Sequence, residues 1–469
     1  MSQVPPEPDI MDEPHGGTAQ ADDGYVLTEE FVYEVENALE AEDAGRVTEL
    51  VEPLHVADLA DLLEYLTRDE RHRTVEILGA GLEPEVLAYL DPAVREEVIE
   101  ELGPRGLARA LSALDSDDAV EIFEDLDEEF QSRILATLPK AYRTLLEESL
   151  SYPEDSAGRL MQRETIAVPS AWTVGKTIDY MRESEDLPDD FYDLFIVNPK
   201  HRPIGAIPLS RVLRSRRPVR LTEIMDTDLH ILPVEMDQED VAYQFRQYGL
   251  VSAPVVDEAG RLVGAITVDD VVHVIDEEAE EDLMKLGGVT ETDLYSAALD
   301  TAKARFAWLV VNLLTATLAS VVIGLFQDSI EKAVALAVLM PIVASMGGNA
   351  GTQTLTVAVR SIAMKDLTAA NALRFVGKEV LVGSFNAVMF AILAGTVAWL
   401  WFDSPGLGLL MGSAMIVNLL VASLSGTLIP LGLERLGVDP AIASSVFLTT
   451  VTDVVGFFAF LGLAALFLL

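Results

Sequence analysis

In the stretch TTVTDVVGFFAF a single carboxylate interrupts a run that otherwise reads as helix in lipid. Asp453 has no basic residue near it in the sequence and stands close to the middle of an apolar segment over 441–469. A charge at that depth is costly, so the side chain must face a bundle interior or water. Three chemistries fit: a cation site, a proton relay, or a protonated acid bonded to a neighbouring helix. The hydroxyls of Thr449, Thr450 and Thr452 put further oxygens beside it.

A second stretch supports the cation reading. LMPIVASMGGNAGTQTLTVAVR places Pro341, Gly347, Gly348 and Gly351 among helix formers. That composition predicts a broken helix, which membrane depth tolerates where backbone carbonyls face a cavity or an ion. Asn349 and Gln353 stand four apart, on one helical face, and offer amide oxygens. Packing of small residues would explain the glycines but not the amide pair. Hard oxygen ligands without His or Cys favour Mg²⁺ or Ca²⁺ over Zn²⁺ or Cu²⁺. One carboxylate per chain suits an ion that keeps most of its water, which is the habit of Mg²⁺. Two chains on a two-fold axis could bring two copies of Asp453 together across one pore.

These residues need elements to hold them. The chain has 469 residues and a formal net charge of −45. Residues 303–469 carry eight basic and eight acidic side chains, so the whole excess lies in 1–302. An acidic module is joined to a neutral apolar one. The acidic surface repels nucleic acid and attracts cations. Only 8 of the 32 basic residues are Lys, and with so many acids this fits a halophilic host, which can coexist with specific cation sites. Cys is absent, which excludes disulfides and thiolate metal sites. Residues 1–27 lack an apolar signal-peptide core and read as a disordered acidic tail.

Residues 28–150 show apolar residues at i, i+3, i+4 and i+7 in short helices broken at Pro, Gly and Asp, a stack of helical hairpins with Asp91 and Asp115 as N-caps. Residues 151–275 contain a β-α-β-β-α unit twice, with DLFIVNPKHRPIGAIPLSRVL answered by SAPVVDEAGRLVGAITVDDVV. An acidic helix, DVVHVIDEEAEEDLMK, runs on from the second copy, and LGGVTETDLYSAAL connects it to five apolar spans at about 306–326, 333–359, 373–402, 407–433 and 441–469. Lys303, Arg305, Arg360, Lys365, Arg374, Lys378 and Arg435 flank alternate ends, which puts the acidic module in the cytoplasm.

The second copy closely resembles a CBS domain, and the two together resemble a CBS tandem. PIVASMGGNAGTQ, TTVTDVVGFF, GVDPAIASS, YPEDSAGRLM and LVGAITVDDVV together resemble the MgtE family of magnesium channels over residues 28–469. The resemblance implies a multidomain fold: an α-superhelical N domain over 28–150, an α+β CBS pair over 151–220 and 221–275, a connecting helix and connector over 270–300, and an all-α transmembrane domain with five helices over 303–469. It implies a homodimer with a pore on its axis. Hydrated Mg²⁺ would be held by Asp453 near Gly347, Gly348, Asn349, Gly351 and Gln353, with Thr449 beside it.

The family's sensor also has counterparts here. The resemblance assigns regulatory metal to Asp270, Asp276, Glu278, Glu281 and Asp282 of the connecting helix, to Asp237 and Glu239 of the second CBS unit, and to Asp117 or Asp118 of the N domain. Massed carboxylates repel until divalent ions bridge them. His273 replaces an acid of better-known members and weakens one bridging site. Gly249 and Leu250 stand where an acid and an aromatic are often found, which leaves open one ion site and whether the CBS pair takes ATP. For any one acid of this module, surface solvation is the competing reading.

The function expected is a plasma-membrane Mg²⁺ channel, carrying uptake down the electrochemical gradient and closed by cytosolic Mg²⁺. The alternative is a proton- or sodium-coupled transporter of Mg²⁺ or Co²⁺. An enzyme is disfavoured, because no nucleophile–base pair, phosphate loop or His cluster is legible.

Overall fold

A helix-capping position recurs every 24 residues through the first domain: Asp43, Thr67, Asp91, Asp115 and Pro139 each precede a helix. The computed structural model describes residues 27–184, 187–188, 191–289, 298–368 and 370–467. The expected acidic tail, apart from Leu27, and most of the connector lie outside the described residues. The chain divides into two compact units, residues 1–238 with 250–267 and residues 239–249 with 268–469.

In the first unit the helices are α1 (Glu29–Glu40), α2 (Ala44–Val51), α3 (Val56–Tyr65), α4 (Arg68–Leu78), α5 (Val86–Tyr89), α6 (Pro92–Leu111), α7 (Ser116–Glu124), α8 (Glu128–Thr137) and α9 (Lys140–Ser149). The caps act locally: the Asp91 carboxylate accepts from the Ala93 amide at 2.9 Å, and Thr67 forms a capping box with Glu70. Gly103, at φ +62, breaks α6 where Pro104 starts a new turn. The apolar faces converge on one core that includes Leu62, Leu63, Val94, Leu107, Ile122 and Phe123.

Buried arginines repeat with the caps. Arg71 donates to the carbonyls of Leu63 and Leu66 and pairs with Glu97, and Arg95 donates to Leu90 and to Glu121. Each satisfies the orphan carbonyls that end the preceding helix, which is what makes burying its charge tolerable.

The motif YPEDSAGRLM then ties the hairpin stack to the sheets. It holds α10 (Ala157–Leu160), whose Ala157 and Gly158 amides donate to the carbonyls of Met236 and Val234. Arg159 within it pairs with Glu124.

The duplicated unit is visible as two three-stranded sheets of one topology. In the first, β1 (Ala167–Pro169) is parallel to β2 (Asp193–Val197), which is antiparallel to β3 (Pro203–Pro208). In the second, β4 (Leu232–Pro233), β5 (Ser252–Val256) and β6 (Leu262–Thr267) repeat that order. Helices α11 (Val174–Glu183) and α12 (Leu209–Arg214) belong to the first copy, α13 (Gln238–Tyr248) and α14 (Val268–Gly287) to the second. Phe195, Val197, Leu262 and Ala265 pack the two sheets together.

The second unit holds α15 (Ala298–Gly324), the short α16 (Gln327–Lys332), α17 (Ala335–Ala363), α18 (Ala372–Phe402), α19 (Pro405–Arg435) and α20 (Pro440–Phe467). Five of these are long and apolar enough to cross a membrane, at the expected places. Helix α19 is the most enclosed, packed against α17, α18 and α20. The break expected in the second span is absent: α17 runs as one helix through Pro341 and all three glycines. Gly347 and Gly351 instead let neighbouring helices close in, as small residues do where burial gives no drive between helices in lipid.

Candidate ion pathway in the membrane helices

Asp453 lies 13 residues into α20, roughly 20 Å along it at about 1.5 Å per residue. Its side chain is half-buried, and among the described residues it forms no ion pair. The neighbouring hydroxyl protons are spent inside the helix. Thr449 donates to the Ser445 carbonyl at 2.8 Å, Thr450 to Val446 at 2.7 Å, and Thr452 to Thr449 at 3.1 Å. Their lone pairs remain acceptors. Thr449 is exposed, Thr450 half-buried and Thr452 fully buried, so Thr449 is the most open of the three.

One turn beyond Asp453, Gly456 faces Asn418 of α19. A Cβ on Gly456 would lie 2.8 Å from the Asn418 amide nitrogen, and a Cβ on Gly347 of α17 would lie 2.2 Å from the same atom. Asn418 is fully buried and donates from Nδ2 to the Val343 carbonyl at 2.8 Å, while its Oδ1 is buried without a hydrogen-bond partner. One amide therefore fixes three helices just beside the carboxylate. Gly348 behaves differently, with nothing within 4 Å of where its Cβ would be. Gly351 abuts Leu448 and gives its carbonyl to the approach of Gly426.

The amide pair separates. Asn349 is exposed and donates to Ser345 Oγ at 3.3 Å, whereas Gln353 lines a cavity with residues of α18 and α19 to which Asn349 does not contribute.

On the acidic helix, Asp270 and Glu278 are half-buried, Asp276 and His273 exposed. The end of α14 packs on the membrane helices, where Leu286 sits against Leu355, Val359, Ala441 and Leu448. There Lys285 bridges Glu281, at 2.5 Å, and Asp439 of the α19–α20 loop, at 2.8 Å. Burial opposes the Lys285 charge, but its hydrogen bonds to Asp439 and Glu281 outweigh that and hold the ammonium above its ordinary value. Asp282 is pushed up, first by burial and then by the Asp439 charge. So Glu281 and Asp439 meet at one lysine, with Asp282 close enough to feel their charges.

Sequence reasoning missed Lys285, Asp439 and Asn418. The i,i+4 spacing of Glu281 and Lys285 was a usable signal for the first. Helix α13 also meets the membrane helices, through an Asp240–Lys365 ion pair and a bond from Arg246 to the Met364 carbonyl at 3.4 Å.

The remaining regulatory candidates are spread out. Asp118 lies in the first turn of α7 and is half-buried, and Asp237 is exposed in a bridge with Ser156. Glu239 is exposed in the first turn of α13, which Gly249 closes at φ +63. Among the described residues no three acidic or imidazole side chains converge to hold an ion.

Comparison with known proteins follows this architecture. Residues 340–463 match the family model for the divalent cation transporter MgtE, residues 54–155 that for the MgtE intracellular N domain, and residues 221–277 that for the CBS domain. The chain is 34% identical to the magnesium transporter MgtE of Thermus thermophilus, over 94% of this chain and 99% of that one. It is 32% identical to the magnesium transporter MgtE of Enterococcus faecalis, over 69% of this chain and 71% of that one. A solved structure described as the cytosolic domain of the Mg²⁺ channel MgtE in complex with ATP is 31% identical, covers 52% of this chain and 99% of its own, and has a TM-score of 0.49. The chain is a multi-pass membrane protein and belongs to the MgtE family of divalent cation transporters.

Proposed function

We propose that this chain is a Mg²⁺ channel of the plasma membrane, working as a homodimer, with its acidic module in the cytoplasm and Mg²⁺ as cargo moving inward down its gradient. The observation that carries the reading is Asp453: a half-buried carboxylate midway along an apolar helix, without an ion pair among the described residues, beside the Asn418 anchor. An unpaired carboxylate at that depth calls for a cation. With one carboxylate and nearby hydroxyl and amide oxygens, the ion keeps most of its water. Relatives named magnesium transporters support Mg²⁺ as that ion.

Gating is assigned to Mg²⁺ on the acidic residues. Glu281 and Asp439 meet on Lys285, and Asp282 lies near enough to feel the Asp439 charge, so hard oxygen donors gather about one ammonium at the end of α14. The donors fit a hydrated divalent ion rather than a closed protein cage. Mg²⁺ bound at these and at Asp270, Asp276, Glu278, Asp118, Asp237 and Glu239 would favour the closed state. Roughly 5 kcal/mol of differential binding moves such an equilibrium from mostly open to mostly closed, and several weak sites supply it together. ATP at the CBS pair is a further proposed ligand, weakened by Gly249 and Leu250.

The solitary carboxylate favours one rival, coupled transport with Asp453 as the proton carrier. Flux into liposomes separates the two. The channel reading expects Mg²⁺ entry that follows voltage without a pH or sodium gradient, abolished in Asp453→Asn while the dimer persists. Wild-type flux in that variant sinks the assignment.

A further inference from the structure

A second carboxylate is buried among the membrane helices. Glu379 lies roughly 10 Å along α18 from its start, at about 1.5 Å per residue, and is only 8% exposed. It lines a cavity of about 180 Å³ between α17, α18 and α19, together with Gln353, Thr354, Asn386 and Ser423. Among the described residues, the side chains of Glu379, Gln353 and Asn386 take part in no hydrogen bond.

The cavity's polar chemistry is almost all oxygen. It offers one carboxylate, two amides and two hydroxyls, with no Lys, Arg or His in its lining. The nearest cation is Lys378, at 3.8 Å and 68% exposed. Sequence neighbours on a helix do not face each other, and an ion pair this loose and wet is worth less than about 1 kcal/mol. So the charge of Glu379 is not balanced by a side chain. A carboxylate enclosed at this depth needs a cation or a proton.

The room decides which. The cavity is far larger than a bare ion, and polar enough and wide enough to hold several waters. A small divalent ion that dehydrates reluctantly takes one carboxylate and fills its remaining positions with water. Amide oxygens of Gln353 and Asn386 and the hydroxyls then accept from that water shell.

We propose that Glu379, with Gln353 and Asn386, forms a second cation site in the membrane domain, separate from Asp453, that takes a hydrated divalent ion. It lies toward the basic-flanked ends of the spans, between Arg360 and Lys378 and the level of Asp453. The site rests on the transport reading only for the identity of the ion.

The test labels the full chain in its membrane with dicyclohexylcarbodiimide, which attacks carboxyls in apolar surroundings, and reads the Glu379 peptide by mass spectrometry. A one-site ion at roughly ten times its Kd leaves about a tenth of sites free. Millimolar Mg²⁺ should therefore cut Glu379 labelling about tenfold, in the wild type and equally in Asp453→Asn, whereas choline chloride at matched ionic strength should not. Labelling that is the same with and without Mg²⁺, or that choline suppresses as well, overturns the site. Protection lost in Asp453→Asn overturns its independence. Flux in Asp453→Asn judges the transport reading by a different measurement, so the two can fail separately.

Discussion

The Asn418 amide of α19 donates to the Val343 carbonyl of α17 at 2.8 Å, at a point where Gly347 and Gly456 both leave their side-chain space to it. Asn418 thus joins α19 to the helix that bears the GGN segment, and the helix that bears Asp453 packs on the same side chain through Gly456.

Glycine substitutions should therefore split. Gly347→Ala forces a methyl against Asn418 and should lower the melting temperature in detergent and reduce flux. Gly348→Ala meets open space and should change neither. Equal damage from both would mean that α17 is merely fragile. Asn418→Ala leaves the Val343 carbonyl without its side-chain donor and opens a cavity, a cost of about 1–3 kcal/mol, read as earlier thermal unfolding.

The quadruple change of Asp270, Glu278, Glu281 and Asp282 to Asn or Gln tests sensing. Millimolar Mg²⁺ at constant high KCl should protect the wild-type soluble part from protease, and the variant should lose that protection. Protection unchanged in the variant would leave these acids as surface solvation.

Lys285→Met isolates the built-in cation. It leaves Glu281, Asp282 and Asp439 without their ammonium, so holding α14 on the membrane helices should require more Mg²⁺. Hydrogen exchange along 280–287 should be faster than wild type without Mg²⁺ and recover as Mg²⁺ is added. No difference between the two proteins would mean that Lys285 contributes nothing to docking.

Acid should act on the same junction. Burial, then Asp439, raises the Asp282 carboxyl above its ordinary 3.8. Packed α14 thus binds this proton more tightly than freed α14, so packing strengthens as pH falls through the raised value toward 3.8 and gains no more below it. Glu281 and Lys285 on α14 and Asp439 opposite are the other charges there. In EDTA, acidifying from neutral pH toward 3.8 should raise protection at 280–287, taken relative to the intrinsic exchange rate at each pH, and Asp282→Asn should show packing already strengthened and little pH response.

Much of this was legible in the sequence. Five spans followed from length and apolarity, and the duplicated sheet unit from DLFIV and SAPVV with their glycine-bearing partner strands. The regular helix through GGN was not, because glycine signals both a break and a close approach, and only the Asn418 partner distinguishes them. Asn418 itself hides within MIVNLLVASL, with nothing in the sequence to name its acceptor 75 residues away. Glu379 next to Lys378 reads as an exposed ion pair at a helix end until burial separates the two fates. Of the acidic helix, the sequence showed the charges, Lys285 included, but not that Asp439 of a distant loop meets that lysine.

The 24-residue period of the capping positions has a mechanical consequence. Each hairpin packs chiefly on its neighbours, so the domain behaves as a one-dimensional stack whose stability is a sum over units and junctions. A slight change of tilt at each junction adds along the stack into a large displacement at its far end, with no single hinge and no core torn open. The same regularity makes length adjustable: excising one whole period, 68–91, preserves the order of caps and the seam between units, whereas excising half a period turns every later apolar face to water. Such a stack spreads any displacement over its junctions instead of concentrating it at one hinge.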